Sequence, residues 1–93
     1  HHHLWDLAAV DYPWLRARGV RRFFGDPTPI QRDYGVAELR RDAAGFELVA
    51  SVHVQVGCAP GRELDETRWL EAVAARDGEP TAIVAAADLA APD

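Results

Sequence analysis

The chain has 93 residues, 48% hydrophobic and 27% charged, with a formal net charge of −5, which allows one domain with a thin core. Its bases are all arginines, scattered among more numerous acids apart from the pairs Arg21-Arg22 and Arg40-Arg41, so no basic stripe offers itself to nucleic acid. No apolar run approaches the ~20 residues that span a bilayer, and the lone Cys58 closes no internal disulfide, so the expectation is a cytoplasmic protein without membrane or nucleic-acid partners.

The chain opens on His1, His2 and His3, followed directly by Leu4, Trp5 and Asp6. On an extended segment alternate side chains share a side, so His1 and His3 point one way and His2 the other. Two imidazoles at that spacing can grip one divalent ion. Taken alone, the triplet reads better as the stub of a purification tag.

Residues 4 to 33 read as a long irregular loop. Pro13, Gly19, Gly25, Pro27 and Pro29 punctuate it, so any regular structure within it is short. A loop of ~30 residues is uncommon in a small domain and is often functional. It carries Trp5, Tyr12, Trp14, Phe23 and Phe24, most of which are expected to pin it to its own domain.

Regular structure is predicted from Val36. "VAELRRDAA" places Val36, Leu39 and Ala43 on one helical face, and Gly45 stands where a C-terminal cap belongs. Residues 46 to 56, "FELVASVHVQV", are rich in β-branched residues and read as a strand. Asp65 is the expected N-cap of a second helix, "ETRWLEAVAAR", with Trp69, Leu70 and Val73 on its buried face. "DGEP" is a turn, and residues 81 to 89, "TAIVAAADL", form a second strand, apolar almost throughout. Strand, helix and strand together match a βαβ unit, so the two strands are expected to be parallel.

Alternation along the first strand divides Leu48, Ala50, Val52, Val54 and Val56 from Val49, Ser51, His53 and Gln55. The first set is expected to face the helices. The second is expected to face a barrel interior or an end-of-sheet cleft, with His53 a hydrogen-bonded core histidine. Gln55 lies at the C-terminal strand end, where α/β folds place their sites.

"HHHLWD" with "DYPWL", "RDYGVAELRRDAAGF", "SVHVQV", "DETRWLEAVAA" and "AIVAAADLAAPD" together resemble, in order, the N-terminal part of the amidohydrolase-2 family, TIM-barrel metal-dependent hydrolases, and within it the lactonase branch. The resemblance implies an α/β fold: a partial eightfold (β/α) barrel holding the first three βα units or fewer. Residues 1 to 93 would be the N-terminal part of a single barrel domain that typically needs ~250 residues. It implies that His1 and His3 are metal ligands, for zinc or another divalent ion, although some lactonases of this kind work without one. The aspartate that precedes the histidines in the family pattern has no counterpart here. The other ligands and the base would come from later strands, so no catalytic residue is assigned within the chain.

The implied activity of the intact protein is hydrolysis of a lactone, or another cyclic ester or amide of a small carboxylate or sugar acid, with the 93-residue segment alone inactive. Trp5 and Trp14 would wall the small-molecule substrate and Gln55 would hydrogen-bond an oxygen of it. For each of these three a purely structural role accounts for the residue equally well. Arg68 and Trp69 are assigned to packing and ion pairing on an outer helix, and Asp88 to capping rather than to the site. The alternative is a small non-catalytic α/β binding or structural module with a tag remnant at its start.

Overall fold

A computed structural model describes residues 1–92 of the chain. Its elements are a one-turn helix α1 (Pro13–Arg16), a 3-10 turn at Thr28–Ile30, helix α2 (Val36–Asp42), strand β1 (Val52–Val54), helix α3 (Glu63–Asp77) and strand β2 (Ala82–Val84). The long N-terminal stretch holds only the two short pieces of helix that its prolines permit; Pro13 opens α1 where its missing N–H is not needed.

α2 begins at Gly35, whose N–H is accepted by the Glu38 carboxylate at 2.9 Å. This satisfies one donor at the helix entrance. α3 starts at Glu63 rather than after Asp65, and Arg62 occupies the N-cap position without a side-chain cap. Asp65 therefore lies inside the first turn. Together with Glu63 and Glu66 it places carboxylates against the positive end of the helix. α3 ends at Gly78, whose φ of 83° is left-handed and whose N–H closes on the Ala74 carbonyl. A residue with a Cβ is strained there.

β1 and β2 pair in parallel, with Val52 opposite Ala82, His53 opposite Ile83 and Val54 opposite Val84. The histidine segment lies on the other side of β1: His2 bridges His53 in parallel, its N–H donating to the Val52 carbonyl and its carbonyl accepting from Val54 N–H. The spatial order is thus histidine segment, β1, β2, all running the same way. Both strands are shorter than their apolar patterns, because ladder pairing reaches only residues with a partner on a neighbouring segment. Residues 46 to 50 have none, and Phe46 and Val49 stand exposed.

The expected assignment of faces is reversed. Partners in a parallel ladder point to the same side, and Ile83 packs on the cluster of Leu4, Val36, Leu70 and Val73 that joins the loop, α2 and α3. His53, opposite Ile83, therefore faces the helices, while Val52, Val54, Ala82 and Val84 face away from them. His53 is tolerated there because it is fully buried as a neutral ring and accepts the Leu4 N–H at 3.0 Å. It remains a hydrogen-bonded core histidine, but on the opposite face from the one expected.

Burying Leu70 and Val73 contributes ~1.5–3 kcal/mol each. A second cluster, Val10, Tyr12 and Leu15, packs with Trp14, Val56 and Trp69 and fastens the loop to the sheet. Trp69 thus has the packing role expected of it, whereas Arg68 is exposed and makes no ion pair among the described residues. The Tyr12 hydroxyl donates to Glu66 Oε2 at 2.6 Å, and both residues are buried. Among the described residues the only other donor to that oxygen is the Val56 N–H at 3.4 Å. Tyr12→Phe should therefore cost about 2 kcal/mol by stranding the carboxyl, read as a fall in the urea midpoint with an unchanged m-value.

The sheet face turned away from the helices stays open, with Val52 38% and Val84 51% exposed, and the outer edge of β2 has no partner among the described residues. Expressed alone, the 93-residue chain should self-associate through this face and edge. Light scattering coupled to size exclusion checks this; a monomer that unfolds sharply would contradict it.

Candidate functional site

The histidine triplet is ordered by the ladder. Pairing of His2 with β1 turns the His2 ring toward the helix layer and leaves His1 and His3 on the opposite side, both exposed, with ring centroids 5.6 Å apart. The Nδ1 of His3 lies 2.7 Å from the Val54 carbonyl. A carbonyl only accepts, so Nδ1 carries the proton and the lone pair resides on Nε2. A backbone partner of this kind is what commonly orients a metal-binding imidazole.

The opposite tautomer holds at His53, whose Nδ1 accepts from Leu4, leaving Nε2–H without a partner. Burial, then the neighbouring His2 and His3, push its pKa down to about 4. Burial also lowers His2.

Beside His3 lies a cavity of about 340 Å³ bounded by Trp5, Trp14, Leu15, Ile30, Gln55 and Val56. Both indoles are held. Trp5 stacks on Tyr34 at 5.2 Å and donates its N–H to the Arg32 carbonyl. Trp14 donates to the Val56 carbonyl at 2.9 Å. Gly57 passes against Trp14. Its φ of 78° is left-handed, and a Cβ added there would sit 3.6 Å from the indole nitrogen. Gln55 follows β1 and its N–H continues the ladder to Val84. Its side-chain Oε1 accepts the Gly57 N–H at 2.8 Å.

The structure therefore gathers His3, Trp5, Trp14 and Gln55 around one cavity, with His1 next to His3. Asp88 is not part of it. Its carboxylate accepts the Ala90 N–H at 3.0 Å in a local turn, and no helix follows among the described residues.

Leu15, Ile30 and Val56 complete the walls without any signal in the sequence, since apolar residues of a wall and of a core are the same types. Glu66 was legible in principle: it precedes Leu70 by four positions and Val73 by seven, on the buried stripe of α3.

Two imidazoles make half a site. No group of three or more His, Cys, Asp or Glu side chains suited to a metal occurs among the described residues. His1 and His3 could supply at most two donors to a divalent ion, with the lone pair of His3 Nε2 uncommitted.

No helix among the described residues is long and apolar enough to cross a membrane. No family model matches the chain, and no solved structure matches it. It is similar to an uncharacterized protein, y4mH, of Sinorhizobium fredii (strain NBRC 101917 / NGR234), with 42% identity over 93 residues. The match takes in all of this chain and 31% of that relative, so the chain spans about a third of the length of the curated protein it matches.

Proposed function

We propose that these residues form the first part of a (β/α) barrel hydrolase of the amidohydrolase type, acting on a lactone or related cyclic ester or amide. The observation that carries the reading is His3: its ring is fixed by the Val54 carbonyl, its Nε2 lone pair is free, His1 stands beside it, and an apolar cavity opens next to it. The parallel order of histidine segment, β1 and β2, with an open apolar face opposite the helices, supports a barrel whose remaining strands would cover that face. The far longer relative supports a continuation of the chain.

His1 and His3 would hold a divalent ion, zinc by preference for imidazole donors. When bound, such an ion supplies Lewis acidity toward an ester carbonyl and an activated water near neutral pH. The chain's own part is to orient two imidazoles, exclude water with two clamped indoles and seat the ring of the substrate. Metal analysis of the full-length protein, with a panel of five- and six-membered lactones followed by proton release, tests the reading. Metal-dependent opening of at least one lactone is the expected result; a protein that neither binds metal nor opens any lactone would leave the non-catalytic module as the better account.

A further inference from the structure

We infer that Glu66, which lies on helix α3 and does not line the cavity beside His3, is a positioning residue for that cavity: one oxygen of its buried carboxylate braces the Tyr12 hydroxyl and the Val56 N–H, and through them sets the Trp14 wall. What this means for a substrate rests on the function proposed above; the placement of Trp14 does not.

The bracing forms a closed circuit. Glu66 Oε2 accepts from Tyr12 at 2.6 Å and from the Val56 N–H in a longer contact of 3.4 Å. The Val56 carbonyl, on the same residue, accepts the Trp14 indole N–H at 2.9 Å. Trp14 follows Tyr12 closely, in the one-turn helix α1. A single helical turn has almost no stability of its own, and α1 has no side-chain cap. Its entrance is fixed at Tyr12, whose carbonyl accepts the Leu15 and Arg16 N–H groups at 3.0 and 3.2 Å. Holding the Tyr12 ring therefore holds α1, and with it the cavity walls Trp14 and Leu15. The Ala59 N–H also donates to the Asp11 carbonyl at 2.8 Å. That bond joins the same two stretches of backbone without orienting the indole.

The residue type points the same way. Position 66 lies on the buried stripe of α3 with Leu70 and Val73 and is 1% exposed. An apolar side chain would be buried there at no polar cost, whereas a carboxylate is desolvated. Its return is geometric, because it fixes which donors meet, as apolar packing does not. Burial, and then the hydrogen bond to Glu66, raise the pKa of Tyr12, so its hydroxyl keeps its proton and donates.

The experiment uses the full-length protein with isotope-labelled tryptophan. The Trp14 indole signal is identified by its loss in Trp14→Phe. Its hydrogen exchange is read as a ratio to that of Trp5, which is held by the Arg32 carbonyl instead. The Tyr12→Phe, Glu66→Leu double variant replaces the polar pair by apolar side chains of similar size. It should raise the ratio ~10-fold, about the worth of one hydrogen bond, and Tyr12→Phe alone should move it the same way. Glu66→Gln, whose amide oxygen can take the place of the shared oxygen, should keep the wild-type ratio. Val73→Ala truncates the core on the same helix, in the cluster that excludes Trp14. It should lower the melting temperature and leave the ratio unchanged. Where a lactone is opened, KM should rise ~10-fold in the double variant with kcat little changed, since the wall contributes binding and not chemistry.

A wild-type ratio in both Tyr12→Phe and the double variant, an equal rise in Val73→Ala, or a Glu66→Gln variant no better than the double variant would overturn the inference. So would an unmoved KM in a protein that opens a lactone. A raised ratio that Glu66→Gln restores, in a protein that opens no lactone, would uphold the placement of Trp14 while removing the hydrolase reading.

Discussion

Replacing His3 by alanine in the full-length protein should lower bound metal and lactone hydrolysis together, each by ~10²-fold or more. Loss of a residue that merely supports a metal ligand costs 10–100-fold, and loss of the ligand itself should cost at least the upper end of that range. His1→Ala should act in the same direction. His2→Ala is the internal control. Its ring faces the helix layer, with both nitrogens buried and unpartnered, so it should retain metal.

His3→Gln adds a second control. A glutamine can still donate to the Val54 carbonyl but presents no imidazole lone pair. It should restore the order of the N-terminal segment without restoring metal. Metal content by mass spectrometry and initial rates on the same samples check all four variants. Hydrolysis at the normal rate in a His1→Ala, His3→Ala double variant would defeat the ligand assignment. Activity lost in a protein whose wild type carries no metal would instead identify a metal-free lactonase, with these imidazoles polarising the carbonyl.

The second large effect is on stability in acid. His53 is fully buried, and its pKa is pushed down to about 4 from an ordinary 6.5, by burial first and then by His2 and His3. A histidine depressed in the folded state favours the fold while it is neutral. That contribution is complete above pH ~6.5 and is lost as the pH falls toward 4, because the unfolded chain takes up the proton first. At 1.36 kcal/mol per pKa unit the loss is about 3 kcal/mol.

His2 shifts in the same direction and adds to it. Among its neighbours, His3 opposes protonation and the buried Glu79 favours it. Urea unfolding of the full-length protein between pH 7.5 and 4.5 should show the midpoint falling steadily. In His53→Gln, whose amide can accept the Leu4 N–H, the fall should be shallower. An equal slope in wild type and His53→Gln would show that other groups govern the acid limit.

Much of the local structure was legible from residue order. Val36 and Leu39 mark α2, and the stripe of Leu70 and Val73 marks α3, because helical periodicity follows from 3.6 residues per turn and needs no partner. The parallel pairing of β1 and β2 followed from the length of the connection and the helix within it. The same-side placement of His1 and His3 came from the alternation of an extended chain. Trp5, Trp14 and Gln55 were singled out as residue types at loop and strand-end positions, and the structure places them around one cavity.

What periodicity cannot supply is which side of a strand the helices cover. Alternation defines two faces but not their destinations. In β1 the usual rule, apolar toward the helices, inverts because His53 finds a backbone donor in Leu4, forty-nine positions earlier in the chain. Asp65 looked like a cap because its type suits one, yet α3 starts three residues earlier than expected, at Glu63, with Arg62 at the N-cap position. The cavity, likewise, is built by separate stretches tied to one another: Trp5 to Arg32, Trp14 to Val56 and His3 to Val54. Sequence spacing determines which groups can share a face; hydrogen bonds between distant carbonyls and side chains decide which of them converge, since those partners are chosen by packing and not by position along the chain.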